Sequence, residues 1–284
     1  MAEVKKAPPP DRNLRTPKLK LPPGACDCHF HIYGPQDRFP LKPGRGVEFE
    51  DCTQDDLLAL QKALGISRGV MVQSFQHGFS YEWMLHALTG DPKRFRGIAV
   101  PAPDATDGEL ELMAKAGIVG IRMAFRASPV FDDRMVRRVH ELGWQYQFFL
   151  EGGAEIAAWR DKILAVPGNF VLDNLGNPPP DKGLDSAEFR FVLECLDTGR
   201  CWVKMTPRFS LQPTLPFADT MPFMREVVRR HPTRLLWGSD WPHPNYYKPM
   251  PNDADLVDLV AEWAPDETVR RRIFVDNPAE LFGF

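Results

Sequence analysis

The 284-residue chain has no run of eighteen apolar residues, so no transmembrane helix is expected. Its five cysteines (Cys26, Cys28, Cys52, Cys195, Cys201) are odd in number and contain no CxxC pair. That argues against a disulfide scaffold and for a reducing, cytoplasmic setting. No GxGxxG follows an early apolar run, which counts against a dinucleotide-binding sheet. A net charge of −3 and a pI of about 6.2 leave no basic surplus for nucleic acid or an anionic membrane. Any anion site must therefore be local. No histidine occurs between His140 and His231, an absence that bears on metal binding below.

What is there fits one large globular domain: 43% hydrophobic and 26% charged residues over a length that can bury a sizeable core. Residues 1–20 are rich in Lys, Arg and Pro, lack the apolar stretch of a signal peptide, and read as a flexible, exposed arm. Residues 21–284 read as the domain. Short apolar runs alternate there with amphipathic stretches, beginning with a helix from Thr53 to Leu64 capped by Thr53 and closed by Gly65. Seven further runs start near Arg68, Gly97, Val119, Gln145, Phe170, Cys201 and Leu235, each followed by a helical pattern. With a first strand before them, eight βα units in under 300 residues predict an α/β fold of the (β/α)8 TIM-barrel type, as a single domain.

That first strand carries His29 and His31. The period of two puts both imidazoles on one side, with Cys28, Phe30 and Ile32 expected on the other. In such a barrel catalytic groups come from the C-terminal ends of different strands. Those ends supply Gln73, Ser74 and His77 from strand 2 and Arg122 with Arg126 from strand 4. Strand 6 ends in Asp173 and Asn174, strand 7 runs through Lys204 and Thr206 to Arg208, and strand 8 reaches Asp240 and then His243. Asp240 lies between Trp237 and Trp241, before a proline, where a carboxylate near two histidines is suited to act as a general base for water. Burial there is expected to raise its pKa, and His29 or His31, if protonated, to lower it again. Arg122, Arg126 and Arg208 on one rim, without a phosphate loop, point to a small substrate carrying carboxylates.

His29-Phe30-His31, Gly120-Ile121-Arg122, Asp173-Asn174-Leu175-Gly176 and the run from Trp237 to Pro244 resemble the amidohydrolase superfamily, in particular its 2-pyrone-4,6-dicarboxylate lactonase branch. The resemblance spans about Pro22 to Phe284. It implies a (β/α)8 enzyme that opens a cyclic ester without a metal. By position, Asp240 takes the role of general base, His29 and His31 that of groups around the lactone carbonyl, and Arg122 and Arg208 that of substrate-carboxylate contacts. Ser74, His77 and Arg126 join the expected substrate-binding set. Two positions depart from the pattern: Asn174 stands where the branch has a histidine, and Phe149 where it has a tyrosine. Asn174 can still polarise a carbonyl but cannot carry a proton.

The expectation is thus a lactonase-like hydrolase acting on a small anionic substrate, with Asp240, His29, His31 and Asn174 as catalytic residues and Arg122, Arg126, Arg208, His77, Ser74 and Phe149 as binding residues. No cofactor and no metal are expected. Zinc on His29, His31 and Asp240 is the weaker alternative, because nothing in the sequence reinforces those three ligands. The other readings are a lactone isomerase of the same superfamily, a metal-dependent amidohydrolase or decarboxylase, and, last, a noncatalytic binding barrel. The oligomeric state is left open.

Overall fold

The computed structural model describes residues 5–43, 47–124 and 132–284. Among them are eight parallel strands in one sheet: β1 Cys26–Phe30, β2 Arg68–Val72, β3 Phe95–Ala99, β4 Ile118–Ala124, β5 Gln145–Phe149, β6 Phe170–Leu172, β7 Cys201–Lys204 and β8 Leu235–Leu236. Each pairs with the next in sequence, the order of a barrel. Every expected apolar run became a strand. The first helix, Gln54–Leu64, starts at Thr53, whose side chain and Asp56 form a capping box, and ends at Gly65 in the left-handed region with φ 80°. Helix Ala187–Asp197 starts at Ser186, whose side chain accepts from Phe189 N. Near the C-terminus, helix Glu267–Arg271 passes at Arg272 into a π-helical turn over Arg272–Asp276.

The N-terminal stretch lies against the domain. Lys5–Lys6 pairs with Val47–Glu48, Arg12 donates to Glu50 and to the Asp51 carbonyl, and Asn252 donates to Asp11 and to the Asn13 carbonyl.

The barrel interior has two parts. Its lower part is apolar: Cys26, Cys28, Val70, Val72, Ile98, Val171, Trp202, Leu236 and Phe282 form one buried cluster. Phe282 closes the base, where Arg96 donates to its carbonyl. Two residues further up the same strands stand Asp173 above Val171 and Lys204 above Trp202, so the interior turns from hydrocarbon to charge within one strand repeat of about 7 Å. Strict alternation along β1 would have put Cys28 with Phe30 and Ile32. Instead a register shift between Asp27 and Phe30 changes the phase. Cys28 therefore joins the interior cluster while Phe30 and Ile32 join the outer core.

Candidate active site

The site forms where the barrel closes on itself. No regular ladder joins β8 to β1; the contacts are Cys28 N to the Trp237 carbonyl at 2.9 Å, Asp240 N to the His29 carbonyl at 2.8 Å and His31 N to the Trp241 carbonyl at 2.7 Å. Gly238 makes this approach possible, since a Cβ there would lie 2.6 Å from that of His29. Asp27 pins the seam: its carboxylate accepts from Ser239 Oγ at 2.6 Å, Ser239 N at 3.0 Å and His29 N at 3.1 Å. Burial nevertheless raises Asp27 to about 7 against those donors. Asp240 follows with φ 62°, a left-handed conformation that Asp tolerates better than most residues.

Above the apolar layer lies a connected polar network. Lys204 Nζ crosses the interior to Gln147 Oε1 at 2.6 Å, His29 Nδ1 at 2.9 Å and Asp173 Oδ1 at 3.1 Å. Arg122 Nε donates to Asp173 Oδ2 at 3.0 Å, and its guanidinium lies 4.9 Å from the Phe75 ring and 5.3 Å from the Phe149 ring. His29 Nε2 is 3.3 Å from His31 Nε2, and these two nitrogens are 3.5 and 3.4 Å from Asp240 Oδ1. His31 Nδ1 meets the Val72 carbonyl at 2.6 Å. The other Asp240 oxygen accepts from Arg208, whose second terminal nitrogen donates to the Pro244 carbonyl.

These contacts set the charges. Burial, helped by the Lys204 charge, brings His29 down to about 3, and burial also lowers His31, so both imidazoles are neutral. Burial pushes Asp173 up, but Lys204, His29 and Arg122 outweigh it and hold the carboxyl well below its usual range. Burial likewise works against Asp240, yet the Arg208 guanidinium beside it keeps it low. Of the two opposing effects expected, the lowering prevails, and its source is the guanidinium beside Asp240 in place of a protonated histidine. Burial lowers Lys204, opposed by Asp173. With Arg122, Lys204 and Arg208 against Asp173 and Asp240, the network carries a positive surplus.

A cleft of about 320 Å³ opens above this network and is lined by His31, Ser74, Arg122, Phe149, Asn174, Arg208 and Asp240. A model of the amidohydrolase family matches residues 26–284. The chain belongs to that family. It is 35% identical to a 4-sulfomuconolactone hydrolase of Hydrogenophaga intermedia, covering 96% of this chain and 93% of that one. It is also 35% identical to a 2-pyrone-4,6-dicarboxylate hydrolase of Comamonas testosteroni, over 95% and 93%. A ligand-free crystal structure from Agrobacterium tumefaciens superposes with a TM-score of 0.83 at 27% identity, over 94% of this chain and 98% of that one.

Within this amidohydrolase barrel the expected residues divide. Ser74 lines the cleft and accepts from the Tyr33 hydroxyl at 2.8 Å. Asn174, with φ 51°, accepts from Thr206 Oγ1 at 2.6 Å through Oδ1, which leaves its amide hydrogens for the cleft. His29 is buried one layer below the cleft wall. His77 is not on that wall either: its ring is stacked between Tyr33 and Trp83, at 5.4 and 4.5 Å between centroids. Arg208 is turned to the protein, with both terminal nitrogens on Asp240 and Pro244. Arg126 lies outside the described residues. His243 faces Asp253 at 3.2 Å, both buried. Asp27 and Gln147 were not among the expected site residues, while Asp173 and Lys204 were named at their strand ends without a role. For Asp173 and Lys204 a signal existed, since each stands two residues after an apolar interior position on its own strand. The groups that could hold a metal among the described residues are His29, His31 and Asp240, whose ligand atoms lie within 4.8 Å of one another.

Proposed function

We propose that this enzyme hydrolyses a small carboxylated lactone, with Asp240 activating water and no metal taking part. The observation that carries the reading is Asp240, paired with Arg208 and flanked by His31, in the same cleft as Arg122, a guanidinium held between two aromatic rings. An anionic arm of the substrate docks on Arg122. The Asn174 amide donates to the lactone carbonyl. Asp240 takes a proton from water as the water oxygen bonds to the carbonyl carbon; the ring C–O bond then breaks, and the leaving oxygen receives that proton. His31 Nε2 lies 3.4 Å from Asp240 and its Nδ1 is engaged by Val72, which fixes the ring beside the base. His29 stands behind His31 and orients it. Arg208 holds Asp240.

The three candidate ligands do not fit a divalent cation. Asp240 already has a guanidinium partner, and a second cation, Lys204, touches His29. The five free, buried cysteines support a reducing, cytoplasmic setting, and no helix among the described residues is long and apolar enough to cross a membrane.

A panel of pyrone and muconolactone carboxylates beside sugar lactones tests the reading. Turnover of a carboxylated lactone, surviving exhaustive chelation, with an open-chain product by NMR, is the expected result. A rearranged ring among the products would turn the assignment to a lactone isomerase, and turnover of sugar lactones alone would remove the proposed substrate class.

A further inference from the structure

Lys204 has no assigned part in the chemistry above, yet it is fully buried and spends its charge inside the barrel. A buried lysine that no substrate can touch calls for a structural reason, because removing an ammonium from water is costly. Its surroundings supply one. Asp173 divides its two oxygens between two cations, Oδ2 to Arg122 at 3.0 Å and Oδ1 to Lys204 at 3.1 Å. Gln147 Oε1, at 2.6 Å, can only accept. Both neighbours favour the ammonium form. An ammonium has no lone pair, so at His29 Nδ1, 2.9 Å away, the imidazole nitrogen has to be the acceptor. The single hydrogen of neutral His29 is then on Nε2, which faces His31 Nε2 at 3.3 Å and Asp240 Oδ1 at 3.5 Å. On His31 the Val72 carbonyl takes the Nδ1 hydrogen at 2.6 Å, so its Nε2 accepts from His29. The hydrogen bonds run in one direction, from Lys204 through His29 to His31.

We propose that Lys204 is a positioning residue that fixes His29 as its Nε2–H tautomer and so makes the histidine pair a hydrogen-bonded relay instead of a pair of metal ligands. Metal ligation through the facing nitrogens requires Nε2 to be bare on both rings. Lys204 withholds one of them. Without Lys204, the nearest partner of His29 Nδ1 is Asp173 Oδ1 at 3.3 Å, a carboxylate that would draw the hydrogen to Nδ1 and free Nε2. The inference rests on the metal-free reading of the site but not on the identity of the lactone, and its test needs no substrate.

The test is ¹⁵N NMR of the protein labelled in histidine, with His29 assigned by the signals lost in His29→Asn, together with zinc titration and elemental analysis after dialysis. The wild type is expected to show His29 protonated at Nε2 and to retain no zinc. Lys204→Met is expected to move the hydrogen to Nδ1 and to retain about one zinc per chain. Lys204→Arg, which restores a donor without a lone pair, is expected to return the Nε2–H signal and to exclude zinc again. Should Lys204→Met fail to fold, the wild-type spectrum and Lys204→Arg still decide. A wild-type His29 protonated at Nδ1, or tight stoichiometric zinc in the wild type, overturns the proposal. Lactone turnover with His29 in the Nδ1–H form would overturn it while leaving the proposed function standing.

Discussion

The lower and upper parts of the barrel interior are built on the same strands and do opposite work. Below, Cys26, Cys28, Val70, Val72, Ile98, Val171, Trp202, Leu236 and Phe282 form a buried, uncharged layer. Above, Arg122, Asp173, Lys204, His29 and Asp240 are buried ions and imidazoles, each needing the others. Hydrocarbon layers contribute stability in proportion to area removed from water. Buried ion pairs contribute little net stability and are costly when one member is lost. The lower part holds the strands so that the upper part can keep its groups where water would otherwise solvate them separately.

The sharpest way to separate the two parts is to change one residue in each. Asp240→Asn should lower kcat by about 1,000-fold, since an amide cannot take a proton from water. Its thermal midpoint should stay within about 4 °C of the wild type, because Arg208 is partly exposed and can be solvated. Steady-state kinetics beside a thermal melt checks both, and turnover within tenfold of the wild type would remove Asp240 from the role of base. In the lower part, Phe282→Ala should cost about 3–5 kcal/mol of stability by leaving a cavity at the base. Its kcat below the melting range should change by less than about threefold, since no group of the upper network moves. A large loss of kcat in the folded variant would show the two parts to be coupled.

Asp27 gives a smaller effect and belongs to the boundary between the parts. Its pKa of about 7 in the fold lies above its ordinary 3.8, so the stability it contributes is complete below that value and is lost as pH rises toward 7. The melting temperature should therefore carry a component that falls across that window. Asp27→Asn, which cannot ionise, should flatten it. A difference curve between the two proteins that rises with pH would reverse the assignment.

Much of this was legible in the chain. The eight strands were readable because apolar runs buried on both faces differ plainly from amphipathic helices, and Thr53 and Gly65 marked the ends of the first helix. His29, His31, Arg122 and Asp240 were readable because the barrel brings strand ends together. The phase of Cys28 was not, because the shift in β1 depends on how it pairs with β2 and no residue type announces it. The cause of the low Asp240 pKa was not either: Trp237 and Trp241 are neighbours in sequence, whereas Arg208 arrives from 32 residues away. His77 looked like a site residue because it follows a strand end, and a short turn over Phe75–His77 carries it into an aromatic stack instead.

The seam between β1 and the segment after β8 also bears on how the protein acquires activity. Ser239 and Asp27 are 212 residues apart in sequence, so their contact closes one of the longest loops the chain can make, and such contacts form late. His31 and Asp240 come from opposite sides of that seam. An incompletely assembled barrel can hold its apolar strands and most of its helices and still have no base beside its histidines. In a refolding experiment, recovery of turnover would then report ring closure itself, lagging behind the return of secondary structure.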